Sequence, residues 1–168
     1  IIGLIKRAQS LMGTIFTVSG VCCLFRKEIM EEIGGWSTNM ITEDIDISWK
    51  IQTAGYNIMY EPRALCWVLM PERISGLYKQ RLRWAQGGAE TILKYFPQVW
   101  RWKNRRLWPM YAEYLVTASW AILLVTLVAL ALYRKFILGM GIQNMELFET
   151  NISIMFFSFF LQLSLIHI

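Results

Sequence analysis

From Tyr114 to Tyr133 the chain runs for 20 residues without a charge. Coiled as an α-helix at 1.5 Å per residue, that stretch measures about 30 Å, the thickness of a bilayer's hydrocarbon core. No other feature restricts the fold so tightly, because so apolar a helix needs lipid or a large protein core around it. Trp108, Tyr111 and Tyr114 lie at one end and Tyr133 at the other, where amphipathic rings favour a membrane interface. Four cations (Arg101, Lys103, Arg105, Arg106) precede the run and two (Arg134, Lys135) follow it. By the positive-inside rule this asymmetry predicts a cytoplasmic location for the preceding portion. A second apolar run begins near Ile152. The expected organisation is a polar part, residues 1–106, and a membrane region, residues 107–168, with spans at about 112–133 and from about 152.

The apolar fraction of 55% exceeds the 45–50% usual in soluble domains, and the excess is segregated. All but two of the 17 Lys and Arg residues precede residue 107. The net charge of +5 comes with no nucleic-acid-binding motif. Basic residues beside an apolar span serve topology or anionic lipid instead. Cys22, Cys23 and Cys66 have no zinc spacing and are expected to be small buried apolar side chains. The chain opens at Ile1 without a Met or a signal peptide, which reads as a piece of a longer protein. His167, in "LSLIHI", is the only histidine and is given no role.

Along the polar part, "TIFTVSGVCCLF" (14–25) is β-rich and apolar, as expected of a buried strand with a close approach at Gly20. "RKEIMEEIGGW" reads as a short helix closed by Gly34-Gly35. A further helix is predicted from about Asp44 to Ala54, with Gly55 past its end. Residues 57–61 and 64–69 read as short strands around the Pro62 turn. Ser75 is placed to N-cap a helix running "GLYKQRLRWAQGG".

Two stretches carry chemistry. "TEDID" (42–46) puts three carboxylates at a helix start, where the positive end of the helix dipole favours them. They serve either as simple charge complements or, for Asp44 or Glu43, as a base that takes a proton from a hydroxyl. Asp46 points elsewhere on the helix. In "KQRLRWAQGGAE" (79–90), Gln80, Arg83, Trp84 and Gly87 share one helix face and Arg81 flanks it. An arginine fork suits a phosphate, an indole suits a sugar ring, and Gly87-Gly88 lets a backbone or ligand come close. The same pattern also describes an amphipathic helix lying on a membrane.

"TED" followed about 36 residues later by "QRLRW" resembles the acidic and Q-x-x-R-W motifs of processive family-2 glycosyltransferases, the cellulose, chitin and hyaluronan synthase group. "MITEDIDISWK", "YEPRALCW" and "KQRLRWAQGGAE" are most similar to the bacterial members that make a β-1,6-linked N-acetylglucosamine biofilm polysaccharide. The resemblance implies an α/β GT-A (Rossmann-like) domain, here its C-terminal half, followed by transmembrane α-helices that form a translocation route. It implies a multi-pass plasma-membrane enzyme that transfers N-acetylglucosamine from UDP-N-acetylglucosamine to a growing chain with inversion. Asp44 would be the general base and Glu43 would hold it in place. Gln80, Arg81, Arg83 and Trp84 would line the donor diphosphate and the acceptor end, with Ser19 and Gly20 on the acceptor-contacting strand. Mg²⁺ or Mn²⁺ would be required, with ligands expected upstream of Ile1 and none in this chain. The partners implied are UDP-N-acetylglucosamine, the polysaccharide, the bilayer and a small accessory membrane subunit, with no nucleic acid. A related synthase of another polymer is the nearest alternative. A non-catalytic membrane-surface protein is the rival from another class.

Overall fold

A computed structural model describes residues 2–137. The described elements are helices: α1 (Ile2–Leu11), α2 (Lys27–Glu32), α3 (Glu43–Ala54), α4 (Ile74–Val99), a 3-10 helix (Trp102–Leu107) and α5 (Trp108–Phe136). Gly3–Tyr111 forms one compact unit, and Ala112 opens a second.

The core of the first unit is built on α3. Ile45, Ile47, Trp49 and Ile51 are buried on this helix, and Ile92, Tyr95 and Val99 of α4 bury against them with Leu107, Met110 and Tyr111. Trp49, fully buried, stacks on Tyr95 at 6.3 Å and meets Phe16 and Tyr111 edge-on at 5.9 and 6.1 Å. Such ring pairs add to the free energy of their apolar burial. α3 ends as its sequence predicts, at Gly55, whose φ of 110° is a left-handed conformation open to glycine. Arg106 completes that end. Its guanidinium donates to the carbonyls of Gln52 (2.9 Å) and Tyr56 (2.6 Å) and to Asn57 Oδ1.

Polar residues on α3 are buried as well, and they explain the first departure from the sequence reading. The strand expected over 14–25 does not form, and no strand occurs among the described residues. Instead Gln52 accepts from the Ile15 N–H (2.9 Å) and donates to the Ile15 carbonyl (2.8 Å), while Ser48 Oγ accepts from the Val18 N–H (2.8 Å). A primary amide presents an acceptor beside an N–H donor, so Gln52 does for Ile15 what a neighbouring strand would do, and its second N–H goes to the Ser48 carbonyl at 2.9 Å. Thr14, Ile15 and Thr17 are buried, whereas Val21 to Leu24 are exposed. The strands expected at 57–61 and 64–69 are likewise loops, and every residue from 61 to 70 is exposed. Apolar, β-branched composition fits a residue for a ladder, but a ladder needs a second chain segment. The same exposure corrects the expectation for the cysteines: Cys22, Cys23 and Cys66 are all exposed.

α4 is longer than its sequence predicts. It starts at Ile74 after Arg73, so Ser75 is not its N-cap, and it runs through Gly87-Gly88 and past Pro97 to Val99. Its terminal carbonyls find side-chain donors: Asn104 Nδ2 to Gln98 O and Trp108 Nε1 to Val99 O, each at 2.8 Å.

α5 is apolar on all sides, and Val116, Ile122 and Val125 are each more than 60% exposed. One segment among the described residues, Trp102–Leu130, is long and apolar enough to cross a membrane. The second span expected from about Ile152 lies outside the described residues.

Candidate active site

Asp44 occupies the first turn of α3, half-buried, with exposed Glu43 before it and buried Thr42 at the N-cap. The Ile45 N–H donates to Asp44 Oδ1 at 2.9 Å. Burial pushes the Asp44 carboxyl above the usual aspartate range, and the neighbouring Glu43 carboxylate pushes the same way. The Ile45 N–H and the Lys6 ammonium oppose them in part. The outcome is an aspartate more basic than one in water, a property that suits proton abstraction.

The turn at Ser19-Gly20 lies against this carboxylate. A Cβ built on Gly20 would stand 3.5 Å from Asp44 Cβ and 3.7 Å from Oδ2, so the Gly20 backbone lies just behind ordinary contact. Ser48 sets this approach: it donates to the Asp44 carbonyl (2.6 Å) while accepting from the Val18 N–H. Sequence reasoning found Gly20 and Asp44 but not Ser48, whose one-turn offset from Asp44 was the available signal. The "VSG" and "TED" segments are therefore brought together by α3 itself.

Asp46 has a structural role. It is 1% exposed, accepts from Lys94 Nζ at 2.7 Å and from the Tyr95 hydroxyl at 3.1 Å, and so ties α3 to α4. Burial first, and then the charge of Asp46, hold the Tyr95 phenol above its usual range. Lys94 also reaches Ser37 Oγ at 3.0 Å.

The second motif rides on α4. The Arg81 guanidinium lies 4.8 Å from the Trp84 ring centroid, a cation–π pair one turn apart. Arg83 is exposed. Gln80 Oε1 is buried without a hydrogen-bond partner and borders a groove of about 450 Å³ with Leu69 to Arg73 and Gly76. No hydrogen bond or ion pair among the described residues joins Gln80, Arg81, Arg83 or Trp84 to Glu43 or Asp44. What joins the motifs is Gly87, one turn beyond Trp84 on the same face. A Cβ there would fall 2.7 Å from Thr42 Cβ, with Thr42 Oγ1 and Cγ2 closer still. The close approach legible at Gly87 is thus made by the threonine of "TED". A larger groove, about 550 Å³, is lined by Lys50, Lys94, Gln98, Arg101 and Lys103 and includes none of the expected site residues.

The described residues do not fit a divalent metal. They contain no group of three His, Cys, Asp or Glu side chains with the geometry to hold one. Of the three carboxylates of "TEDID", Asp46 is committed to Lys94 and Tyr95.

Residues 2–166 match the model of the glycosyl transferase family group 2. The chain is 44% identical over 161 residues to the poly-beta-1,6-N-acetyl-D-glucosamine synthase of Staphylococcus epidermidis, covering 95% of this chain and 38% of that protein. It is 48% identical over 120 residues to the synthase of the same name from Staphylococcus aureus strain COL, covering 71% of this chain and 29% of that protein. The chain therefore spans well under half the length of these relatives. No solved structure matches it.

Proposed function

Since the chain belongs to the glycosyl transferase family group 2, we propose that it is the acceptor-side part of a membrane synthase. The enzyme polymerises N-acetylglucosamine from UDP-N-acetylglucosamine into a β-1,6-linked polysaccharide. Two relatives named for that product, at 44% and 48% identity, support the sugar and the linkage. The observation that carries the catalytic assignment is Asp44: a half-buried carboxylate, raised in basicity by burial and by Glu43, with Gly20 behind it.

In this reading Asp44 takes the proton of the acceptor's 6-hydroxyl as that oxygen attacks the anomeric carbon of the donor sugar. The bond from that carbon to UDP breaks on the opposite face, and the configuration inverts. Glu43 keeps Asp44 basic. Arg83 and Arg81 meet the diphosphate, Arg81 being already oriented by the indole below it. Trp84 and Gln80 border the acceptor end, and Ser19 and Gly20 contact the chain from the other side. A divalent cation supplies charge neutralisation to the departing diphosphate when bound. Its ligands are assigned to the part of the full-length protein that this chain does not span, with the strands of a GT-A sheet. Residues 1–106 are assigned to the cytoplasm, where the nucleotide sugar is made, with α5 crossing a multi-pass plasma-membrane region and a small accessory membrane subunit beside it.

The test is Asp44→Asn in the full-length synthase. Loss of a general base lowers turnover by about 10²–10⁴-fold, with UDP-N-acetylglucosamine binding retained. Polymer synthesis near the wild-type rate in a properly inserted Asp44→Asn enzyme would refute the assignment.

A further inference from the structure

We propose that Thr42 and Gly87 are a matched pair of positioning residues that set the register of the Asp44 carboxylate against the Gln80–Trp84 face of α4. The inference deepens the reading of Asp44 as the base and rests on it.

Thr42 is buried, and its side chain occupies the space a Cβ at position 87 would need. Thr42 is the N-cap of α3, yet its hydroxyl caps nothing: there is no side-chain cap bond, and Oγ1 is buried without a partner. A capping threonine would turn its oxygen to the free N–H groups of the first helical turn. This side chain is instead a wedge. It sits two residues before Asp44 and three residues beyond Trp84 on the helix it enters. A second tie, Asp46 to Lys94 and Tyr95, fixes the same two helices further along and leaves rotation about that point to be stopped elsewhere. The wedge supplies the stop. Neither Thr42 nor Gly87 is among the residues to which the proposed mechanism gives a substrate contact.

The pair is tested by a double-substitution cycle in the full-length synthase, with activity expressed per inserted molecule. Gly87→Ala forces the helices apart, and a displacement of about 1 Å in catalytic geometry costs about 100-fold in kcat. The KM for UDP-N-acetylglucosamine is expected to hold, since Gly87 is not among the donor-binding residues. Thr42→Gly removes the wedge at an N-cap where glycine is well tolerated, and kcat is expected to fall about 10-fold by the same loss of register. Combining them places one methyl carbon on α4 in the space left by the three side-chain atoms removed from position 42. The double variant is expected to exceed both single variants in kcat by at least about 5-fold. A double variant no better than the poorer single, whether through inactivity or failure to insert, overturns the matched pair. So does a Gly87→Ala enzyme with wild-type kcat. An Asp44→Asn enzyme that stays active defeats the base assignment instead, and leaves the cycle readable as a measurement of helix register.

Discussion

At the scale of single residues, Asp44 and Asp46 show how one helix turn separates chemistry from support. Both are carboxylates at the start of α3. Asp46 meets an ammonium and a phenol in the interior, while Asp44 meets backbone N–H groups and a bare glycine backbone. Asp44 is raised by burial and by Glu43, so the folded state holds its proton more tightly than the unfolded chain does. Its protonated form stabilises the fold at pH below the unfolded value, and that contribution is lost as pH rises through the folded value. For activity the order reverses: the base works only once the proton is gone, so the acidic limb of kcat lies above the range of a free aspartate. Glu43→Gln is expected to move that limb to lower pH and Lys6→Met to higher pH, as a pH–rate series on the full-length enzyme would record. Equal, unmoved limbs in both variants would show that neither charge reaches Asp44. For Asp46, Lys94→Met strands a buried carboxylate and is expected to cost about 3 kcal/mol of stability, seen as a lower Tm.

At the scale of elements, α3 is the organiser, and its polar residues do what a sheet edge would do. Gln52→Ala leaves the Ile15 N–H and carbonyl buried without partners, at about 1–3 kcal/mol for each group. Amide exchange at Ile15 is expected to quicken by one or more orders of magnitude, against little change within α4. The helices were largely legible in the sequence because their signals are local. The apolar spacing of "EDIDISWKIQTA" and the glycine that follows it lie within a few residues of each other. The strands were not, because a ladder depends on partners remote in sequence, and "TIFTVSG" spends its backbone groups on Gln52 and Ser48 instead. The length of α4 was misread for a related reason. Gly87-Gly88 looks like a helix end until Thr42, some 45 residues earlier, is seen to occupy the glycine's open side. α1 was not read from the sequence, although Gly13, at φ 72° just past its end, marks its C-terminus. At the candidate site, the residue types and their order could be read directly, and so could the shared face of Gln80, Arg83 and Trp84. The wedge at Thr42 could not, because nothing in "TED" distinguishes a capping threonine from a packing one.

At the scale of the whole molecule, the proposed reading makes orientation across a membrane testable, because Trp102–Leu130 is long and apolar enough to cross one. Exposed Cys66 is expected to stay unlabelled by an impermeant thiol reagent in intact cells and to label once they are permeabilised, while a cysteine at position 144 labels in intact cells. The reverse pattern would contradict both the orientation and the assigned donor. The cations that predict this orientation are not interchangeable, however. Arg106 belongs to the group read as a topology signal, and the same guanidinium holds the Gln52 and Tyr56 carbonyls at the end of the helix that carries Asp44. Its codon is pleiotropic. A genetic screen that neutralised these cations one at a time would recover Arg106 variants with two phenotypes entangled, misoriented protein and a loosened base. A charge-retaining Arg106→Lys change would separate them, because lysine keeps the topological vote and forfeits the fork.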